Sequence, residues 1–311
     1  MTLQELRYLV ALAETKHFGQ AAERCHVSQS TLSTQLKKLE DHLGITLFDR
    51  SLKRIHPTPV GREIVKSAQL ILHEADRIRE LSKYGQDPMA LTLHVGIIPT
   101  LGPYYLPHVL STSRKLHPKL KLLLHEVTTA PMLDQLHEGK LAAGLLALPV
   151  DEEGLMVAPL FVEPFVAAVP STHPLAKKAK VSLDALSQEN LLLLEEGHCL
   201  REQALAVCGG QGNKNEEVRA TSLETLRQMV GLGIGVTLLP ILAGASGMKV
   251  PRDGTAIRPL SRPGAGRTIA LVWRKRTPYF QTLKNITHML STHLPEGVSA
   301  VSRSEKRRRA P

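Results

Sequence analysis

Apolar residues at the start of the chain recur with helical spacing. Leu3, Leu6, Leu9, Val10 and Ala13 predict a first helix. A break at His17–Gly19, followed by the small residues Ala21 and Ala22, predicts a short second helix from Gln20 to Cys25. His26-Val27 reads as a tight turn. Leu32, Leu36, Leu39 and Leu43 then form the inward stripe of a third helix. Ser28 stands where a capping hydroxyl is needed, and Gly44 stands where that helix must stop. The opposite face keeps Gln29, Ser30, Ser33, Thr34 and Lys37. Ile45 to Arg50 and Lys53 to Thr58 predict a small two-stranded wing.

A long helix is expected from Pro59 to about Lys83, ended by Gly85-Gln86-Asp87-Pro88. Its apolar residues Val60, Ile64, Ala68, Ile71, Ala75 and Ile78 advance in steps of four and three. That narrow seam suits pairing with the same helix of a second chain, and packing on the chain's own N-terminal helices is the alternative. Beyond Pro88 the rhythm changes. Leu91–Ile98, Leu120–Glu126 and Leu141–Leu148 read as strands, with helical stretches between them. The alternation continues to the end and predicts an α/β region of mainly parallel sheet, long enough for two sub-domains. The expected organisation is 1–58, a linker helix 59–87, an α/β region 88–302 and a basic tail 303–311.

Composition narrows the class. The chain has 311 residues with 42% hydrophobic and 22% charged, a globular balance rather than a disordered one. Three cysteines, Cys25, Cys199 and Cys208, are too few for a secreted disulfide framework. No apolar run reaches the ~18 residues of a membrane span, and Met1 to Val10 lacks the pattern of a signal peptide. A cytoplasmic protein without membrane contact is expected. The net charge of +10 is spread along the chain and is densest in the tail, at Arg303 and Lys306 to Arg309. Such a run is more often a solvated end than a binding site.

The DNA-binding expectation rests instead on the helix, turn and helix. Gln can pair with adenine, Ser with either kind of base, and Lys with guanine or phosphate. Gln29, Ser30, Ser33 and Thr34 are therefore candidate base readers. Ser28, Thr31, Lys37, Arg50, Lys53 and Arg54 are candidate phosphate contacts. A plain three-helix bundle with a basic loop is the bland alternative.

The segment Ala21-Ala22-Glu23-Arg24-Cys25-His26-Val27-Ser28-Gln29-Ser30-Thr31-Leu32-Ser33, with Leu39-Glu40 and Leu43-Gly44, resembles the DNA-binding motif of LysR-type transcriptional regulators. Ser30 stands where that family usually has proline. The resemblance covers nearly the whole chain. It implies a winged helix-turn-helix, a dimerising linker helix (Ile64, Ala68, Ile71, Ala75, Ile78), and a regulatory domain of two Rossmann-like sub-domains similar to periplasmic binding proteins. It also implies dimers and tetramers on promoter DNA, with RNA polymerase as a further partner.

Gly96–Pro103, Leu124–Glu126, Glu196–Arg201, Cys208 and Arg219–Arg227 are similar to the hydrogen-peroxide-sensing members of the family. That likeness implies that Cys199 reacts with peroxide and that Cys208 is its disulfide partner. It implies that Thr100 and Thr129 position the peroxide, that Arg267 lies near the thiolate, and that cellular dithiols reset an activator of oxidative-stress genes. His198, beside Cys199, either tunes the sulfur or merely starts a helix.

The residues themselves suggest one helix from Cys199 to Cys208, bounded by Gly197 and Gly209-Gly210. A cysteine at a helix N-terminus is favoured as thiolate. Nine helical steps at ~1.5 Å exceed the ~7 Å that a disulfide allows, so a disulfide between these residues requires refolding. Free cysteines are commonly inert packing residues, and Cys25 is read as one. Two other readings stay open. One is a family member switched by a small organic effector between the sub-domains, with the cysteines incidental. The other is a thiol peroxidase, against which the helix-turn-helix argues. Gly231, Gly233 and Gly235 precede a strand rather than follow one, so they form a turn and not a dinucleotide fingerprint. The histidines show no metal spacing, and no metal, cofactor or enzymatic activity is expected.

Overall fold

In the computed structural model, residues 1–49, 55–84, 87–208, 220–248, 254–261 and 264–301 are described. Arg50, Lys53, Arg54, the glycine-rich stretch after Cys208 and the basic tail lie outside them. Contacts divide the chain into two units, 1–86 and 87–311.

The first unit holds α1 (Leu3–Thr15), α2 (Phe18–Arg24), α3 (Gln29–Leu43), β1 (Phe48–Asp49), β2 (His56–Pro57) and α4 (Pro59–Tyr84). Thr2 and Glu5 cap α1 reciprocally. Ser28 Oγ accepts from the Thr31 amide, as its position predicts, and Gly44 ends α3 in the left-handed region at φ 68°. Leu32, Leu36 and Leu39 join Leu6, Leu9 and Leu12 in one buried core. The wing forms as an antiparallel pair, with Phe48 opposite Pro57. Glu40 ties it to α3 by accepting from the Leu47 and Phe48 amides at 2.8 and 3.3 Å. Gly61 lets α4 pass the wing, since a Cβ there would stand 2.1 Å from the Leu47 carbonyl oxygen.

The expected seam on α4 divides. Ala68 is only 1% exposed and, with Val65, belongs to the core of this unit. Ile64 and Leu72 pack against that core too. Ala68 therefore serves the chain's own helices and is not free for a partner. Ile71 and Ile78 remain exposed, and Ala75 is half-buried. A stripe spaced by four and three drifts little around a helix, but α1 lies close enough to cover its N-terminal part.

The second unit begins with β3 (Thr92–Ile97), α5 (Gly102–Leu116), β4 (Lys121–Glu126), α6 (Thr129–His137) and β5 (Ala143–Ala147). Next come β6 (Leu155–Pro170), α7 (Leu183–Ser187), α8 (Cys199–Val207), α9 (Leu223–Gly231), β7 (Thr237–Pro240) and α10 (Ile241–Met248). It closes with β8 (Thr255–Pro259), β9 (Gly266–Arg274), α11 (Phe280–Thr292) and β10 (Ser299–Ala300).

Strand β3 pairs in parallel with β4 and β5. The pairs of β9 with β5 and β6, and of β6 with β7, β8 and β10, are antiparallel. The mainly parallel expectation is thus corrected among the named strands. The long β6 runs through both halves and meets its partners head-on, which an alternating helix-strand count does not reveal. Its first part, Leu155–Pro164, pairs with β9, and its last part, Phe165–Pro170, pairs with β7 and β8. Two sub-domains result. Sub-domain I carries β3, β4, β5 and β9. Sub-domain II buries Leu186, Leu200, Leu226, Val230 and Leu238 in its own core.

Candidate redox site and DNA-facing helix

A narrow cleft within the second unit brings together three chain segments. Ile98, Pro99 and Thr100 come from the turn before α5, Thr128 and Thr129 from the start of α6, and Gly197, His198 and Cys199 from the start of α8. The first two segments follow strands of sub-domain I, and the third belongs to sub-domain II. The second and third lie at helix N-termini, where free backbone amides favour negative charge, whereas before α5 the Leu101 and Gly102 amides are spent on the Ile98 carbonyl. The gap between these segments is tight and open to solvent on one side, with about 160 Å³ of space between atoms.

Four of the expected residues, Thr100, Thr129, His198 and Cys199, meet in this cleft. The Thr129 Oγ1 is buried and has no hydrogen-bond partner among the described residues, so it is ready for a ligand atom. His198 occupies the capping position of α8, but its ring makes no capping bond. Arg267 does not line the cleft. It reaches it through Thr100, with Nη1 donating to Thr100 Oγ1 at 2.8 Å and Nη2 to the Thr100 carbonyl at 3.0 Å. Its Nε donates to Glu163 Oε2 at 2.8 Å, an ion pair with both side chains fully buried. Sequence reasoning missed Glu163. Its signal was a lone carboxylate inside the apolar run Leu160–Val169, since an unpaired buried acid is too costly to keep.

The two cysteines of α8 differ in surroundings. Cys199 is half-buried at the cleft, whereas Cys208 is 4% exposed and part of the sub-domain II core. Burial pushes the Cys208 thiol above its ordinary value, which makes it a poor nucleophile in this conformation. Helix α8 is continuous from Cys199, and the Cys208 amide still donates to the Ala204 carbonyl at 2.9 Å. Cys25 packs against the core of the first unit. Burial raises its thiol against the lowering charges of Arg24 and Arg7.

In the first unit, Ser28, Gln29, Ser30, Thr31, Thr34 and Lys37 are exposed on one side of α3, and Ser33 is half-buried. Ser28 Oγ is committed locally, lying 2.9 Å from Ser30 Oγ and 2.8 Å from Thr31 Oγ1 besides its cap. The model of the bacterial regulatory helix-turn-helix family of LysR type matches residues 3–62, and that of the LysR substrate binding domain matches residues 86–294.

The chain is a LysR-type transcriptional regulator.

Relatives of this regulator include a hydrogen peroxide-inducible genes activator from Dickeya chrysanthemi. It is 42% identical over 97% of this chain and 100% of its own length. A solved structure of full-length OxyR C199D from Pseudomonas aeruginosa is 40% identical, with a TM-score of 0.70 over 97% of this chain and 99% of that one. A Corynebacterium glutamicum OxyR cysteine mutant, described as hydrogen-peroxide-bound, is 34% identical with a TM-score of 0.64. It covers 94% of this regulator and 92% of its own chain. Among the described residues, no group of three or more metal-ligating side chains occurs, and no helix is long and apolar enough to cross a membrane.

Proposed function

We propose that this regulator senses hydrogen peroxide through Cys199 and Cys208 and transmits the change to promoter DNA. The observation that carries the reading is the cleft. It sets a half-buried cysteine at a helix N-terminus beside three threonines, one with an unspent buried hydroxyl, in a narrow gap.

In this reading the Cys199 thiolate attacks one peroxide oxygen. An S–O bond forms as the O–O bond breaks, the sulfur gives up two electrons, and the leaving hydroxide takes a solvent proton to become water. Thr100 and Thr129 hold the peroxide, His198 borders it, and Arg267 acts through Thr100. Cys208 then displaces water from the sulfenic acid and forms the disulfide. Its thiol must first leave the sub-domain II core, because nine helical steps separate the two residues. That refolding is the two-state element that changes the disposition of the recognition helices. The regulator acts stoichiometrically rather than by turnover, in the cytoplasm, where dithiol reductants restore it.

On DNA, Gln29, Ser30, Ser33 and Thr34 read base edges while Ser28, Thr31, Lys37, Arg50, Lys53 and Arg54 hold phosphates. A dimer places two copies of α3 in successive major grooves, about 34 Å apart. Ile71, Ala75 and Ile78 of α4 offer the dimer contact, with Ile64 at its inner edge. Tetramers on promoter DNA and recruitment of RNA polymerase complete the proposal.

The test is one equivalent of peroxide on the reduced protein, followed by intact mass and thiol mapping. The expected product has lost two hydrogens, with the link between Cys199 and Cys208. A Cys208→Ser chain stops at the gain of one oxygen. Two free thiols after treatment would overturn the reading.

A further inference from the structure

We propose that Glu163 is a positioning residue for the peroxide reaction, acting by fixing the direction in which the Thr100 hydroxyl donates. The inference rests on the peroxide reading above and extends it to a residue outside the cleft.

The hydrogen-bond chemistry allows one arrangement. An arginine side chain has only donors. In its 2.8 Å contact with Arg267 Nη1, Thr100 Oγ1 is therefore the acceptor. The hydroxyl's own proton points elsewhere, and no acceptor meets it among the described residues. Thr100 lines the cleft beside Cys199. The hydroxyl is thus held as a donor toward whatever occupies that space. In the oxidation step the atom that gains negative charge is the leaving peroxide oxygen, and a preset donor stabilises it.

Arg267 can impose this only if it is itself immobile, and Glu163 immobilises it. One Glu163 oxygen accepts from Arg267 Nε at 2.8 Å. The other accepts from the Leu242 amide, in the first turn of α10, at 3.2 Å. The carboxylate thus ties β9 and β6 to a helix of sub-domain II, and both of its oxygens are used. A glutamine cannot repeat this. Its amide has one acceptor oxygen, so either Arg267 Nε or the Leu242 amide would face an NH₂ group. A fully buried ion pair is weak support for stability, since desolvation offsets its attraction. Its cost is better explained by orientation of Thr100 than by holding the fold.

The experiment measures second-order rate constants of full-length reduced protein with hydrogen peroxide and, separately, with iodoacetamide. The second reagent reports thiol access and ionisation without needing an oxygen leaving group. Glu163→Gln is expected to slow the peroxide reaction about 10-fold and to change alkylation less than about 2-fold. Thr100→Val is expected to give a similar loss. Adding Glu163→Gln to Thr100→Val is expected to cost less than about 2-fold more, because the residue acts through that hydroxyl. An undiminished loss in the Thr100→Val background, an equal loss in alkylation, or no loss at all would overturn the proposal. If the Glu163→Gln chain fails to fold, Glu163→Asp takes its place. It keeps the charge but is too short for both contacts, and its loss must vanish in the same background. A parent protein reacting with peroxide no faster than free cysteine would instead overturn the peroxide reading, and the role of Glu163 with it.

Discussion

Replacing Ala204 by glycine tests whether α8 must open before the disulfide closes. Cys199 and Cys208 are nine residues apart along one helix, about 13.5 Å at ~1.5 Å per residue, whereas a disulfide holds its Cα atoms within about 7 Å. Ala204 lies inside α8, is 3% exposed and packs in the core of sub-domain II. Glycine there removes one buried methyl, about 0.8 kcal/mol, and lowers helix propensity by about 1 kcal/mol. Together these weaken the closed helix by about 1.8 kcal/mol, or roughly 20-fold in its opening equilibrium. If opening precedes closure, conversion of sulfenic acid to disulfide speeds up by about that factor. The first oxidation changes less than about 2-fold, because the cleft is untouched. The reduced form alone loses stability, so the disulfide becomes harder to reduce and its potential falls by about 40 mV. Rapid-quench trapping of sulfenic acid gives the first quantity, and equilibration in a dithiol buffer gives the second. An Ala204→Gly chain with unchanged resolution rate and unchanged potential would mean that α8 does not open.

Three further outcomes are expected. Gln29→Ala relaxes sequence preference in binding to a randomised operator library, while Lys37→Ala weakens all sequences alike and reduces the salt slope by about one; an unchanged preference in the first variant would mean that another face reads the bases. Glu40→Ala leaves two amides of the wing without their acceptor and lowers the stability of the N-terminal unit by about 1.5–3 kcal/mol, measured by denaturant unfolding. Burial raises the Cys208 thiol above 9.0, so the folded chain keeps that proton where the unfolded chain loses it. The contribution is whole below about pH 9 and is lost as pH rises through the folded value, and a Cys208→Ala chain shows a shallower fall of melting midpoint there.

Much of the N-terminal unit was legible because its signals are local. The stripe at Leu32, Leu36 and Leu39, the capping hydroxyl of Ser28 and the stop at Gly44 each act within a few residues. Helix α8 was legible for the same reason, with Gly197 before it. The sheet was not, because β6 takes partners from β9 and β10 at one end and from β7 and β8 at the other. Nothing in an apolar run states which distant strand it will meet or in which direction. Ala68 shows a related limit, since its spacing suits a partner chain and its own core equally, and only the approach of α1 decides. At the cleft, Cys199 and His198 were visible as neighbours in a motif. Thr100 and Thr129 were placed there by family resemblance. Glu163 required the fold, since it is 104 residues from Arg267 along the chain.

Chain order gives the strand β9 a role in the timing of synthesis. It inserts between β5 and β6, which precede it by about a hundred residues, and it brings Arg267 to Thr100. Once the chain has been made through α8, Cys199 is already present, but the strand that finishes sub-domain I is still to come. Until it arrives, Thr100 lacks the guanidinium that orients it. A nascent or prematurely ended chain therefore carries the thiol without the fully organised cleft. On the peroxide reading proposed above, full responsiveness is withheld until nearly the whole polypeptide exists, and unfinished copies are poor consumers of the signal that finished ones read.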